Sequence, residues 1–508
     1  MNRALPLLTW LLGFGAAMAA PAPGPTVDVS NDLLVQNNQL AHGPSYPYDP
    51  AIRAGQCQEA LSAVLDQGAW SGGFTLRGVN FYRPQADTTL ARSDLSLYRV
   101  FGKYTAGDLT ARAGDFNTLL GRGLILSVIQ NDAVLQDWTI RGGELRWRHR
   151  ALELHALAGT VSNNLRLRPN AYQRWKVSGL EASLEWAPGN RLGARAGTID
   201  DLTVPPILQG LAEGRRVSQS ADLSGTNLLG AWDYYFEAAQ INYLDPLVLP
   251  IPARATHSGR GSGAYGTLSW HRGGWLLQAE WKRYRHFDNE LNNPPLADRE
   301  TEKTTKDNTD GARLYGQYCF RDPDLTVFLS AGRYRQGQLL APVVFQGSNV
   351  YGGFRLQDGL DCLDLQYTYG LKTVHETGEY PEKNTDAALT CRFTRLWSLD
   401  LNYQDKRNLL PGSAPYDQWN LTAQVARSPW GAVYATHQYD PLVNTGSNPF
   451  ASHGLNSAGV RINLKNGSYV DFSGGRIRGG EVCSGGQCVV LPAYQGWKLV
   501  THFRLPRR

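Results

Sequence analysis

Residues 363–371, with the sequence LDLQYTYGL, alternate between large apolar or aromatic side chains and smaller or polar ones. The alternation recurs in WLLQAEWK at 275–282, in LDLNYQ at 399–404 and in WNLTAQV at 419–425. A period of two places successive side chains on opposite faces of an extended strand, whereas an amphipathic helix repeats every 3.6 residues. Because this period dominates from about residue 72 onward, the sequence predicts an all-β protein.

The connections between these stretches alternate in length. Short ones contain the residues that favour tight hairpin turns: APGN at 187–190, HRGG at 271–274, RDPD at 321–324, DG at 358–359 and KNGS at 465–468. Long polar connections lie at 201–223, 244–261, 288–309, 336–348, 440–453 and 479–493. This order predicts consecutive antiparallel hairpins, with short turns at only one end of the sheet.

Three features favour a membrane barrel over a soluble sandwich or propeller. The predicted strands run for about 10–13 residues, long enough to cross a bilayer at a tilt, whereas strands of soluble proteins average about 5–6. The turns differ in length between the two ends, as in outer-membrane barrels. Tryptophans beside the short turns fit an aromatic girdle at a membrane interface, the alternative being ordinary core aromatics; they are Trp186, Trp270, Trp275, Trp397 and Trp430.

Together these features predict an antiparallel, up-and-down transmembrane β-barrel over residues 72–505, followed by a tail at 506–508. It is expected to have about 22 strands, in a range of about 18–24. The sheet must close on itself because hydrocarbon offers an open edge no hydrogen-bond partner.

The N-terminal residues predict export. Residues 1–19 combine a basic start at Arg3, an apolar block and an Ala-Met-Ala cleavage site at 17–19, the pattern of a signal peptide. A single membrane anchor, the alternative, needs a longer apolar block. Residues 20–71 are predicted to form a periplasmic or lumen-occluding segment with a short helix near 54–67, whose apolar stripe is Cys57, Leu61, Val64 and Leu65. The expected location is the outer membrane.

Composition excludes other classes of protein. Charged residues make up only 19%, and Trp and Tyr number 14 and 24, which argues against a disordered chain. The net charge of +5 is spread over 508 residues, so no nucleic-acid partner is expected. After the first twenty residues no run of about 18 apolar residues occurs, which excludes a helical membrane protein. The expected partners are the lipid bilayer of the outer membrane, the barrel-insertion machinery and, in one alternative, the cell wall.

One face of the predicted strands carries charges of both signs. Charged residues that line a barrel lumen tune which solutes pass, and the alternative is that they pair with one another and brace the wall. The predicted lumen-lining residues are Glu144, Arg146, Arg148, Glu280, Lys282, Asp364, Lys372 and Arg392.

Export allows disulfides to persist among the six cysteines. Cys483 and Cys488 are predicted to form a disulfide at the tip of an external loop, contributing about 2 kcal/mol. A metal site there is not predicted, because zinc needs four ligands and only two are local. Cys57 is hypothesised to bond Cys319 or Cys362 and tie the N-terminal segment to the barrel mouth, with free thiols as the alternative. Cys391 is expected to face lipid unpaired.

No set of residues predicts catalysis, and no cofactor is expected. The ten histidines have no metalloprotease spacing, and neither a nucleophile elbow nor a phosphate-binding loop occurs. The segment GRG at 121–123 lacks the strand and helix of a phosphate loop, so it is expected to bend the chain at the wall or fold it inward. The sequence therefore predicts a protein that is not an enzyme.

Two segments, GDFNTLLGRGL at 114–124 and GGEVCSGGQC at 479–488, resemble a group of uncharacterised bacterial proteins predicted to be outer-membrane β-barrels. The resemblance covers 72–505 and implies a fold and a compartment but no activity. The predicted function is a channel or transport barrel for small polar solutes. Barrels of about 22 strands are plugged, and residues 20–71 with 107–135 are candidates for partial occlusion. The alternatives are a structural or tethering envelope barrel without transport activity, or a barrel hydrolase whose residues would meet only in space.

Overall fold

The structure is a computed structural model. It describes residues 25–38, 56–81, 93–131, 136–163, 174–201, 215–244, 259–287, 291, 308–322, 324–337, 344–357, 363–375, 379–408, 416–443, 451–478, 480–484, 487–491 and 493–505. For some residues within strands, 371–375 and 379–382 among them, only the backbone is described.

The described chain is almost entirely β-strand. In chain order the strands are β1 Thr26–Asn38, β2 Gln56–Gln67, β3 Trp70–Phe81, β4 Ser93–Ala106, β5 Leu109–Phe116, β6 Thr118–Leu120, β7 Leu126–Val128, β8 Gln130–Asn131, β9 Gln136–His149, β10 Leu152–Asn163, β11 Arg174–Ala187, β12 Asn190–Asp201, β13 Arg215–Leu228, β14 Trp232–Tyr243, β15 Gly259–Arg272, β16 Trp275–Arg285, β17 Thr309–Arg321, β18 Asp324–Gly337, β19 Val344–Gln357, β20 Leu363–His375, β21 Glu379–Arg392, β22 Trp397–Asn408, β23 Tyr416–Arg427, β24 Gly431–Tyr439, β25 Gly454–Asn463, β26 Tyr469–Ile477, β27 Gly480–Ser484, β28 Gln487–Leu491 and β29 Tyr494–Arg504. Among the described residues one 3-10 turn occurs, at Lys465–Gly467, and no helix there is long and apolar enough to cross a membrane.

The strands form a closed wall. Each wall strand pairs antiparallel with the next, β5 pairs directly with β9, β26 pairs with β29, and β29 returns to β1. Across this last pair of strands, β29 and β1, His502 contacts Asp32 at 2.6 Å and Arg504 forms a bidentate salt bridge with Asp28. The predicted closed antiparallel barrel is therefore confirmed.

The predicted N-terminal segment is wrong where the structure describes it. Residues Gln56–Gln67, predicted as a helix near 54–67, form β2, which pairs with β3 along its whole length and with β1 from Gln56 to Asp66. The helical stripe is split, because Leu61 and Leu65 lie on one face of the strand and Val64 lies on the other. Hydrogen bonds to two neighbouring strands outweigh the local helical pattern, as tertiary context commonly does.

The strand number follows from the same correction. The wall from β3 onward contains 22 strands, the number predicted for residues 72–505, and β1 and β2 bring the wall to 24 among the described residues. The barrel thus begins at Thr26 instead of residue 72. The predicted signal peptide at 1–19 and the tail at 506–508 lie outside the described residues.

The two faces of the wall differ in polarity. On β11, Leu180, Leu184 and Trp186 are 54%, 46% and 57% exposed and point outward, away from the enclosed lumen. Glu181 on the same strand points inward, where it meets Arg195 of β12. This alternation gives the barrel an apolar outer face and a polar inner one, the arrangement of a barrel that is surrounded by lipid.

The two ends of the barrel also differ. Tight turns join alternate strand pairs at one end, for example where Gly189 adopts a φ of 73° between β11 and β12. The N-terminus of β1 lies at this end, since Thr26 pairs with Asp66 beside the turn from β2 to β3. The five predicted girdle tryptophans adjoin this end, and four of them have large exposed fractions: Trp186 57%, Trp275 50%, Trp397 39% and Trp430 66%.

Replacing Leu180 by arginine is expected to destabilise the barrel by about 2–4 kcal/mol, because a charge would enter the lipid-facing band near its centre. The free energy of unfolding, measured by denaturant titration in lipid vesicles, checks this expectation. The matched control is Asn402→Arg, at mid-height on the inward face of β22, which should leave stability nearly unchanged. Equal losses in the two variants would contradict the assignment of the faces.

Candidate functional site

A hairpin leaves the wall after β5 and enters the lumen. It comprises residues 118–128, with β6 and β7 as its two strands, and the wall continues behind it because β5 pairs with β9. The chain bends inward at Gly114, whose φ is 104° and whose backbone approaches Val100 too closely for any side chain. The GRG segment at 121–123, expected to bend the chain at the wall or fold it inward, forms the tip of this hairpin. We call residues 118–128 the lumen hairpin.

The lumen hairpin is fixed by apolar packing on the inner wall. Leu120, Leu124 and Ile125 are 0–1% exposed. The side chains of Leu120 and Ile125 occupy space that Gly179 of β11 and Gly197 of β12 leave open. The wall residues that complete this apolar cluster point inward from the half of the barrel nearer the long connections and include Val161, Trp175, Val177, Ile199 and Ile241. Burying this many apolar side chains favours one fixed position for the hairpin.

Backbone contacts hold the lumen hairpin from two further sides. The amide of Ser127 donates to the carbonyl of Leu291, a buried residue of the connection between β16 and β17, at 2.6 Å. At the tip, the amide of Arg122 donates to Glu237 of β14 at 3.3 Å. Gly121 allows this contact, because a Cβ atom there would lie 2.6 Å from the Glu237 carboxylate.

A network of charged side chains lies on the wall beneath the hairpin tip. Arg195 is its centre, 2.6 Å from Glu181, 2.5 Å from Asp222 and 3.5 Å from Glu237. Glu237, with its side chain fully buried, also accepts hydrogen bonds from Ser220 and Tyr235. One arginine thus offsets part of the negative charge of three acids, two of them with buried side chains, an arrangement that is sensitive to loss of the cation.

The network extends to the base of the hairpin. Glu144 of β9 contacts Arg146 at 2.8 Å and His155 at 2.9 Å, and it accepts a hydrogen bond from Thr118 of the hairpin. His155 also approaches Glu181 at 3.5 Å, which connects this group to Arg195. Polar contacts at Thr118, the first residue of β6, and at Arg122, in the turn after β6, therefore hold this part of the hairpin against the charged wall.

A cavity of about 280 Å³ opens between the hairpin tip and the wall, toward the end with the short turns. The guanidinium of Arg122 lies 4.1 Å from the ring centre of Tyr235 at the edge of this cavity. Its lining combines four arginines with three acids and is completed by small and aromatic residues: Leu119, Gly121, Arg122, Arg148, Glu153, Glu181, Ser183, Arg191, Arg195, Asp222, Ser224 and Tyr235. The cavity can therefore hold polar groups of either sign.

The predicted lumen-lining residues lie on the inward face wherever their side chains are described. Glu144, Arg146 and Arg148 gather near the hairpin, where Arg148 pairs with Glu153 at 2.6 Å. Glu280 pairs with Arg313 at 3.2 Å, and Lys282 is 1% exposed. The remaining residues are distant from the hairpin: Asp364 pairs with Arg355, Arg392 is exposed to the lumen, and the side chain of Lys372 lies outside the described residues. Several of these charges thus brace the wall by pairing.

Sequence reasoning missed the centre of the site. It did not single out Arg195 or its three acidic neighbours, although each is a polar residue on the inward parity of its strand. One signal was available: Trp175 and Val177 of β11 point inward while Leu180 and Leu184 point outward, so the strand is apolar on both faces. A strand of that kind must be covered on its lumen side, which indicates an inserted segment.

The predicted tether between Cys57 and Cys319 is wrong. Cys57 shares the outward parity of Leu61 on β2, whereas Cys319 points inward from β17 and accepts a hydrogen bond from Gln317. Both are free thiols, as is Cys391. The reason is that Cys57 belongs to the wall and not to a separate segment. Cys362 lies outside the described residues, and across the described ranges no group of three His, Cys, Asp or Glu could hold a metal ion.

Cys483 and Cys488 are expected to be disulfide-bonded. They face each other across the hairpin of β27 and β28, where paired Cβ atoms come within reach of a disulfide. Mass mapping of a non-reduced digest of the exported protein should find these two linked and Cys57, Cys319 and Cys391 alkylated. Recovery of alkylated Cys483 would contradict the pairing.

Comparison with known proteins gives matches among solved structures alone. No protein-family model matches the chain, and no curated protein sequence matches it. The siderophore receptor PirA from Pseudomonas aeruginosa is 9% identical, with a TM-score of 0.48 over 94% of this chain and 80% of that one. The outer membrane protein opdK from the same organism is 12% identical, with a TM-score of 0.42 over 72% and 97%. P. aeruginosa OccK9 (OpdG) is 16% identical, with a TM-score of 0.40 over 72% and 96%.

Segments 114–124 and 479–488 resemble a group of uncharacterised bacterial proteins predicted to be outer-membrane β-barrels. That this chain belongs to that group stays a prediction. The first of these segments contains the inward bend and the first half of the lumen hairpin. The second contains most of the β27–β28 hairpin.

Proposed function

We propose that the protein is an outer-membrane barrel that conducts small polar solutes through a lumen narrowed by the lumen hairpin. The apolar outer face with its tryptophans beside the short turns supports residence in a membrane. The charged inner face supports a water-filled path, because charged side chains in a lumen without water would lose their hydration at a large cost in free energy.

The observation that carries the proposal is the fixed position of the lumen hairpin. It is seated by buried leucines and by polar contacts at Thr118 and Arg122, so it reduces the open cross-section at one level. The path past this level runs by the cavity of about 280 Å³, whose arginines and acids offer hydrogen bonds to solutes that carry polar groups. Such a constriction selects by size and by charge.

The tethering alternative has less support. It relied on an N-terminal segment outside the barrel, and residues Thr26–Asn38 and Gln56–Gln67 are strands of the wall. No described cluster favours the hydrolase alternative either. The channel is therefore the function that the geometry of the described residues supports best.

Planar-bilayer recording of the purified, refolded barrel tests the proposal. Reproducible conductance steps that disappear without protein are expected, with a conductance below that of an unobstructed barrel of equal strand number. A correctly folded barrel that never conducts would contradict the channel, and a protein that stays soluble and folded without detergent would contradict residence in a membrane.

A further inference from the structure

A cluster of arginines lies on the outward face of β15–β18, at the end with the long connections. It comprises Arg260, Arg283, Arg285, Arg333 and Arg335, and we call it the outer arginine patch. Its orientation follows from strand parity, because Arg283 and Arg285 continue the outward row of Trp275, Leu277 and Trp281, which are 46–50% exposed.

Strand register brings these side chains together. Arg283, Asp310 and Arg335 are direct neighbours across β16, β17 and β18. Adjacent strands are about 4.8 Å apart, so the backbones at Arg283 and Arg335 are separated by about 10 Å. Arg333 is two residues from Arg335 on the same face, beside Ala312. Several guanidinium groups can therefore reach one ligand the size of a phosphate-bearing headgroup.

The patch carries far more positive than negative charge. Asp310 pairs with Arg285 and lies 3.8 Å from Arg283, and it faces five arginines. Arg260, Arg333 and Arg335 are exposed and have no acidic partner among the described residues. Two outward arginines elsewhere on the same rim are each paired with an acid: Arg215 with Asp200 and Arg407 with Asp417. Among the described residues, positive charge is therefore in excess in this sector, which favours binding of an anion.

The surface below the patch is apolar and uneven. Leu314 and Leu329 are 67% and 60% exposed, among the most exposed apolar side chains of the wall. Small residues alternate with them across the strands: Gly316 pairs with Leu329, and Leu314 pairs with Ala331. The two exposed leucines therefore stand beside small residues on the outward surface, where a hydrocarbon chain can pack against them.

We propose that the outer arginine patch binds the phosphate-bearing headgroup of an anionic lipid of the outer leaflet, whose acyl chains lie along Leu314 and Leu329. Arginine binds phosphate oxygens in pairs through its planar fork, and a charged group above an apolar surface has the polarity of an amphiphile. The inference rests on the proposed function only in that the barrel spans a membrane; it does not require that the barrel conducts.

Binding of phosphatidic acid to the purified barrel in a neutral detergent tests the inference, with phosphatidylcholine as the neutral lipid. Native mass spectrometry is expected to show phosphatidic acid retained and phosphatidylcholine released. Near a membrane surface each arginine is worth about 1 kcal/mol toward an anionic lipid, so Arg333→Gln and Arg335→Gln should each weaken binding about fivefold, and together about 25-fold. Arg333→Lys, which keeps the charge, should retain most of the affinity.

The matched control is Arg407→Gln, which removes an outward arginine of the same rim that is already paired with Asp417. It should bind phosphatidic acid like the unchanged protein, and circular dichroism should show that all variants fold. Equal binding of the two lipids, or equal weakening by Arg407→Gln and Arg333→Gln, would overturn the proposal. A silent barrel that binds phosphatidic acid selectively would refute the channel and leave the patch standing, whereas a conducting barrel without lipid preference would do the reverse.

Discussion

Removal of the lumen hairpin is expected to raise single-channel conductance severalfold. In the variant, residues 118–128 are replaced by a short glycine-serine linker between Asn117 and Ile129. The wall should survive the deletion because β5 pairs directly with β9 behind the hairpin. The hairpin fills space next to the inner faces of β11, β12 and β14, so its removal widens the path at its narrowest level. Planar-bilayer recording of variant and parent side by side gives the ratio.

Shortening the connection between two neighbouring wall strands is the control for the deletion. Removal of an equal number of residues within 203–213, between β12 and β13, should change conductance far less than removal of the hairpin. Heat-resistant migration on a gel reports whether each variant still forms the barrel. Equal conductance of the parent and a folded hairpin-deleted barrel would show that residues 118–128 do not limit flow.

Replacing Arg195 by alanine is expected to destabilise the folded barrel by about 3–5 kcal/mol, because buried acids would lose their cation. Glu181, Asp222 and Glu237 all lie within 3.5 Å of its guanidinium, and the last two side chains are 5% and 0% exposed. The loss should also unseat the hairpin tip, since the amide of Arg122 is bonded to Glu237. Denaturant titration in vesicles measures the stability, and open-channel noise reports the movement of the hairpin.

Two variants separate the role of this cation from the loss of any arginine in the lumen. Arg191→Ala removes an exposed arginine four residues away on the same inward face, without an acidic partner among the described residues, and should change stability by less than about 0.5 kcal/mol. Arg195→Lys keeps the charge but not the fork, and should fall between the parent and Arg195→Ala. A loss below about 1 kcal/mol for Arg195→Ala would refute a central role for this residue.

Much of the wall could be predicted from the sequence because lipid on one side and water on the other impose a strict period of two. The period is plain in β20, where Leu365, Tyr367 and Tyr369 alternate with polar residues, and it gave the correct number of strands from β3 onward. It failed at β2, where Glu59 lies on the outward face and interrupts the apolar row, so that the remaining apolar residues imitate a helical stripe.

The candidate site was harder to predict because it depends on which residues become cross-strand neighbours. Glu181, Arg195 and Asp222 lie on three successive strands, and each is recognisable as an inward polar residue. Their meeting depends on register across connections of different length, and register is not encoded in the alternation itself. The docking of the tip of the hairpin on Glu237, 115 positions away in the chain, is set by the closed wall and not by local sequence.

The pairing of the first and last strands has a consequence for biogenesis. Its contacts join residues 470 and 476 positions apart, whereas most other strands pair with a neighbour in the chain and can associate as soon as both have emerged. During insertion β1 must therefore present an unpaired backbone edge until β29 arrives. Asp28 and Asp32 point inward, away from the lipid-facing surface. They can therefore stay hydrated until β29 arrives, and the final pairing of β1 with β29 moves no charge through hydrocarbon.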